Sequence, residues 1–339
     1  MSLRDHVGDN AIWFFAFGYF ACYAPYSGLT KTLSGGLIDG LDRIPGPTLL
    51  PLATVASLLT MVLFLSALGW WGYATQKQVG SVSLPVPTRW TALSGACSAA
   101  IITTTTLAYT FEGVSILFVM LLMRGGVLIL APIVDAMTGR KSRWFTWVGL
   151  ACALAALFVA FAEDGGYAIS TACALDITIY LLAYLVRLRF MSKLAKSDDP
   201  DVMRRYFVEE QLVGVPLTLL LLCVAGLVGT GEFLGQIRSG FTPWELGGTV
   251  LLATLGIGVL SQGTGIFGTL IYLDKRENTF SVPVNRSSSI LAGVVASFGL
   301  ASVFGTKLPS AWQLGGAALV ISAILALSLG PVIDRRRAR

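Results

Sequence analysis

Ten stretches of mostly apolar residues recur along the chain, at roughly 10–28, 47–74, 90–110, 112–136, 144–162, 167–190, 206–229, 246–272, 279–303 and 311–331. A helix needs about 20 such residues to cross the hydrocarbon core of a bilayer. Within lipid, backbone polar groups are satisfied only inside helices or closed barrels. The pattern therefore predicts an all-α polytopic membrane protein with ten transmembrane helices. Only 13% of the 339 residues are charged, against about 25% in an ordinary soluble chain. That deficit excludes a typical cytosolic enzyme and excludes disorder. The first run follows a tail carrying Arg4, Asp5 and Asp9, with no convincing small-residue cleavage site after it. It is read as a retained helix, not a signal peptide.

The basic residues set the orientation. With the N-terminus in the cytoplasm, 18 of the 24 Lys and Arg fall in inside segments and 4 in outside ones, leaving Arg124 and Arg286 within spans. This imbalance predicts both termini inside and an even number of spans. It also accounts for the net charge of +5 without nucleic acid as a partner. The Ala, Gly and Leu bias and the short loops point to a bacterial inner membrane.

Chemistry-bearing motifs are scarce. The five cysteines lie in apolar runs and form no CxxC, and the one histidine, His6, is in the tail. No metal site, cofactor or catalytic residue is expected, and the chain is read as a non-enzyme. Gly263, Gly265 and Gly268 spell GxGxxG, but within a membrane helix that spacing does not make a dinucleotide site.

A shift of 166 residues aligns 138–150 with 304–316, matching Gly139 to Gly305, Lys141 to Lys307 and Gly149 to Gly315. Each stretch joins the fourth and fifth spans of a half. Halves with five spans insert in opposite orientation, giving an inverted repeat of residues 1–165 and 166–339, with a substrate site near the midplane. With these segments, 117–161 and its counterpart near 283–327, the chain resembles the drug/metabolite transporter superfamily. Its members are EamA-like, with nucleotide-sugar and triose-phosphate translocators as relatives. It departs from them at Arg140-Lys141 and Thr306-Lys307, where a glutamate often follows the linker glycine. The resemblance implies that spans one to four and six to nine line a cavity. It places spans five and ten at the periphery, often in a dimer. Ala318, Ser322 and Ala326 form a small-residue stripe on span ten. It is read either as packing within one subunit or as a homodimer seam through helices 5 and 10.

Arg124 lies halfway along span four and Arg286 about seven residues into span nine, beside Asn285 and Ser288. An arginine at such depth is costly and is a functional candidate by default. Asp176 reads as the one acid deep in a span. It is taken as a counter-ion for an arginine or as a proton-coupling site. One positive charge then remains unmatched, and an anionic substrate would supply its partner. Tyr19, Tyr23 and Tyr26 share one face of span one, and Tyr180 and Tyr184 repeat that spacing on span six. With Gln262 they make a wall for an amphipathic solute.

The sequence thus points to a secondary transporter of a small carboxylate- or phosphate-bearing metabolite, working by alternating access. The alternatives are an exporter of amino acids, drugs or other amphiphiles with structural arginines, and a non-transporting membrane receptor or assembly subunit.

Overall fold

The computed structural model describes residues 11–107, 116–164, 171–306, 308–309 and 311–337. Its elements are, in chain order, α1 Ala11–Gly35, α2 Gly46–Ala67, β1 Thr75–Val79, β2 Val82–Val86, α3 Arg89–Leu107, α4 Ile116–Met137 and α5 Trp144–Asp164. There follow α6 Thr171–Leu194, α7 Pro200–Val228, α8 Glu232–Ser239, α9 Gly248–Leu273, α10 Asn278–Phe304 and α11 Ala311–Arg337. Among the described residues the regular structure is helical apart from one hairpin. Five helices among the described residues contain a stretch long and apolar enough to cross a membrane: Gly46–Ala67, Pro200–Val228, Gly248–Leu273, Asn278–Phe304 and Leu314–Asp334. Phe17, Leu63, Leu227, Leu252 and Val303 are largely exposed on the outer surface, as a surface facing lipid and not water requires.

Each apolar run coincides with a helix, but several boundaries move. α1 continues to Gly35, so part of the expected outer loop at 29–46 is helical. The polar stretch 191–205 is helical except for residues 195–199. α6 runs to Leu194, and α7 starts at Pro200, where Asp199 caps it by accepting the Asp201 N–H at 2.9 Å. The expected second span also overshoots. α2 ends at Ala67, and the chain then makes a 3-10 turn over Trp70–Tyr73 and a β1–β2 hairpin, with Thr75 opposite Val86. Gly80, at φ +64°, takes the first position of its turn. Glu209, fully buried in α7, ties this hairpin down. Its carboxylate accepts the N–H groups of Thr75 and Thr88 and the hydroxyls of Thr75 and Thr91.

Helix pairing follows a swap. α1 packs on α9 and α10, and α6 packs on α3 and α4. α2 packs on α9, and α7 packs on α3. α5 and α11 pack on each other. At the α5–α11 crossing, Gly149 lets Leu327 approach so closely that a Cβ would collide with it. Gly139 and Gly305, which the 166-residue shift aligns, both adopt positive φ just past the ends of α4 and α10, +70° and +65°. Of the stripe on α11 only Ala326 is half-buried within the subunit. Ala318 and Ser322 are exposed, while Ala317, Val320, Ala323 and Leu327 form the buried face.

Candidate functional site: a deep cavity with a charged floor

A cavity of about 1260 Å³ runs down between α1, α2, α3, α6, α7, α9 and α10, with α8 at its edge. Its rim carries exposed Lys31, Arg43 and Glu232. Its floor carries Tyr184, Arg187, Glu210, Tyr272, Asn285 and Arg286. The floor lies toward the far end of the helices. Arg286 is eight residues after the start of α10, about 12 Å along its axis, and Arg187 is seven residues before the end of α6.

The floor is built on one ion pair. Arg187 donates through Nε and Nη2 to the two oxygens of Glu210, both at 2.9 Å. Ser94 donates to the same carboxylate at 2.6 Å, and Tyr206 donates to Ser94 at 2.7 Å. Arg187 reaches Thr269 at 3.0 Å with a further Nη2 proton. Both ions are almost completely buried. The Arg187 charge is matched geometrically and its neighbours are satisfied, as burial of an ion pair demands.

Arg286 is different. It is 6% exposed and its Nε and Nη2 make no hydrogen bond among the described residues. Aromatic rings surround it. Its guanidinium carbon stands 5.2 Å from the Tyr184 ring centre, and the Tyr184 and Tyr272 rings meet edge-on at 6.3 Å. Tyr272 donates to the Asn285 side-chain oxygen at 2.8 Å. Gln262 donates to Gln211 at 3.2 Å across the wall. Tyr19 and Tyr23 stack at 5.5 Å along α1, and Tyr26 follows at 5.8 Å.

Of the residues singled out from the sequence, Arg286, Asn285, Tyr19, Tyr23, Tyr184 and Gln262 line this cavity. Arg124 stands one layer back, where its Nη2 donates to the Tyr23 hydroxyl at 2.5 Å. Tyr180 is also off the wall, its ring 4.8 Å from that of Tyr184. Ser288 donates to Val284 of its own helix at 2.9 Å.

The expected charge balance needs correcting. Asp176 is buried at 3% exposure, but neither of its oxygens has a hydrogen-bond partner among the described residues. The acid that meets an arginine in the cavity is Glu210, and the arginine is Arg187. Sequence reasoning placed Arg187 in the cytoplasm and passed over Glu209 and Glu210, although both acids fall inside the seventh apolar run. Tyr272 and Thr269 also went unnoticed, in a helix read for its glycines.

The far end of the cavity is sealed. Asp135, at the end of α4, is 1% exposed and is not left to solvent. Instead it accepts the N–H groups of Asn278 and Thr279 at 2.8 and 2.7 Å, and both their side chains. Glu277, the residue at the cap position of α10, makes no side-chain cap bond there. Arg140 donates to the carbonyls of Ser192, Lys196 and Lys275. Lys196 donates to Arg276 O at 2.7 Å and to the Ser281 hydroxyl at 3.1 Å. Burial pulls the Lys196 ammonium down to about 7, against the opposing pull of Asp135 and Asp274. Burial raises the Asp274 carboxyl, but the Arg276 fork on it outweighs that and holds it below the usual carboxylate range.

No protein-family model and no curated protein matches the chain. A solved structure described only as "Crystal structure of protein" is similar in fold. It is 13% identical, with a TM-score of 0.56, and the match covers 98% of this chain and 100% of that one.

Proposed function

We propose that the chain is a ten-span secondary transporter for a small organic anion, held in a state open to one side and sealed on the other. One observation carries this reading: a buried arginine, Arg286, at the blind end of a deep cavity, with Nε and Nη2 unpaired among the described residues. A cavity closed by hydrogen bonds between separate helices is the arrangement that alternating access needs on one side of its cycle. The swapped helix pairing and the paired glycines Gly139 and Gly305 support two inverted five-span halves. The sealed end carries Arg140, Arg143, Lys196, Lys275 and Arg276, so the positive-inside tendency makes it the cytoplasmic end. The cavity then faces outward.

Arg187 and Glu210 neutralise each other, and Arg286 has no acid paired with it among the described residues. An anion entering the cavity would complete that charge. Arg124 then acts by fixing Tyr23, not by touching the solute. The outward-facing stripe of α11 would suit a homodimer in the bilayer. The features named for the superfamily resemblance, two five-span halves and a peripheral α5–α11 pair, agree with this reading.

The tyrosine wall favours a second reading, export of amphiphiles with structural arginines. Thermal-shift measurements separate the two. Detergent-purified protein and an Arg286→Gln variant would be screened against short-chain carboxylates, inorganic phosphate, organic cations and neutral amphiphiles. Anions that raise the melting temperature of the wild type alone support anion transport. Neutral or cationic compounds that shift both proteins equally favour the exporter. No shift from any compound favours a non-transporting subunit.

A further inference from the structure

The β1–β2 hairpin stands at the sealed end of the molecule, beside the first turns of α7, and its two faces differ. Lys77 lies opposite Leu84 and Gln78 opposite Ser83. Opposed residues in an antiparallel pair point to the same side of the sheet. One face is polar and closed on itself. Ser83 donates to the Gln76 side-chain oxygen at 3.0 Å, and the Gln76 amide donates to the carbonyls of Trp71 and Ala74. The other face carries Val82 and Leu84, 55% and 45% exposed, with exposed Lys77 beside them. A hairpin is marginal on its own in water, and branched aliphatic side chains left open to water add nothing to it.

The surroundings say what covers that face. Trp70, Trp71 and Tyr73 precede the hairpin and Trp90 follows it. Tryptophan and tyrosine collect where a membrane meets water. Trp90 and Leu93, three residues apart on one side of α3, are both exposed. The lipid-facing surface of α3 thus begins just past the hairpin. The charge is one-sided. Between residues 44 and 111 the chain holds no Asp or Glu, and its cations there are Lys77 and Arg89. The Arg89 guanidinium carbon stands 4.6 Å from the Trp90 ring centre. Of the α7 acids, Glu209 is engaged by Arg205 at 3.1 Å and Asp201 by Arg204 at 2.7 Å. Open aliphatic side chains, interfacial aromatic rings and cations together fit a layer of anionic lipid headgroups.

We infer that the hairpin is an interfacial anchor. Its Val82–Leu84 face lies in the headgroup layer of the leaflet at the sealed end, with Lys77 and Arg89 against anionic lipid. Through Glu209 the anchor is fixed to α7 one residue from Glu210, in the floor of the cavity. This requires the helices to cross a bilayer and is independent of what the cavity carries.

The test places a fluorescent coumarin amino acid at Leu84 or, in a second protein, at Ser83. Both positions are exposed, so neither probe enters the packed bundle. The full-length chain is reconstituted in lipid nanodiscs and challenged with two quenchers, a lipid carrying a nitroxide just below its headgroup and aqueous acrylamide. The nitroxide lipid should quench position 84 at least three-fold more strongly than position 83, and acrylamide should rank them the other way. Phosphatidylglycerol in the disc should strengthen lipid quenching at 84 at least two-fold over phosphatidylcholine alone, and Lys77→Glu should remove that gain. If acrylamide reaches both positions alike and the lipid reaches neither, the hairpin stands in water, its apolar face is open to a soluble protein, and the inference falls. It falls too if neither quencher reaches position 84, because a second copy of the chain then covers it. Equal quenching of the two positions by the lipid overturns the facial assignment. Lipid quenching at 84 that is the same in both discs leaves the anchor standing and overturns the preference for anionic lipid.

Discussion

The carboxylate of Asp135, at the end of α4, accepts the main-chain N–H of Thr279 in the first turn of α10 at 2.7 Å. A helix start is thus capped by a residue 144 positions away, from the other half of the chain. The same carboxylate takes the Asn278 N–H and two side chains. This couples the integrity of α10, which carries Arg286, to the closure of one end of the cavity. Losing a capping side chain costs about 0.5–2 kcal/mol. Asp135→Ala removes further bonds to a charged acceptor, so a loss at the upper end of that range is expected. It should also loosen the seal. A cysteine placed at Ser281, which is fully buried, should react with a maleimide in the Asp135→Ala background and not in the wild-type background. Equal protection in both would show that the seal lies elsewhere.

Glu210→Gln should be severely destabilising, because it strands the Arg187 charge inside the protein. Removing one partner of a buried pair costs about 3–5 kcal/mol. Replacing both residues by methionine should recover most of the lost melting temperature, since no ion is then buried alone. If the double variant is no more stable than the single one, the pair is not the reason for the loss.

Glu209 has a separate role at the hairpin. Glu209→Ala strips the anchor from Thr75, Thr88 and Thr91. Amide hydrogen exchange across 75–88 should rise at least ten-fold, while the floor around Arg286 stays protected. Uniform exchange changes across the chain would indicate global destabilisation instead.

Lys196 gives the sealed end a pH dependence. Its ammonium is lowered from 10.5 to about 7, chiefly by burial. The unfolded chain therefore holds more protons than the folded one between about pH 7 and 10.5, so this group makes stability rise with pH across that window. Below pH 7 both states are protonated and its contribution is flat. Melting temperature measured from pH 7 to 9 should climb more steeply in wild type than in Lys196→Met. Identical slopes would remove Lys196 as the cause.

The helices were legible because a run of apolar residues long enough to span a bilayer leaves the backbone few alternatives. Helical spacing alone put Tyr19, Tyr23 and Tyr26 of α1 on one cavity face, but on α6 it put Tyr180 beside Tyr184 where only Tyr184 lines the wall. What failed was pairing between distant elements. Arg187 lies near Arg189 and Lys193, and by sequence it belongs to a basic helix end. Only the tertiary meeting of α6 and α7 makes it the partner of Glu210. Asp176 looked like a counter-ion because it was the acid noticed deepest in a run, yet depth does not fix which helix face meets an arginine. The hairpin did carry a local signal in Val79-Gly80-Ser81-Val82, a glycine-led two-residue turn between short alternating segments. The stripe on α11 has a spacing that any helix face can show, and only burial reveals that it points outward.

The most direct measurement is solute release from proteoliposomes. Vesicles containing the chain would be loaded with a mixture of small carboxylates, phosphate esters, amines and neutral amphiphiles, and the loss of each followed by mass spectrometry. At least one organic anion should leave ten-fold faster than from empty vesicles, and Arg286→Gln, incorporated to the same level, should abolish that release. Release confined to neutral or cationic solutes, unchanged by Arg286→Gln, would contradict anion transport.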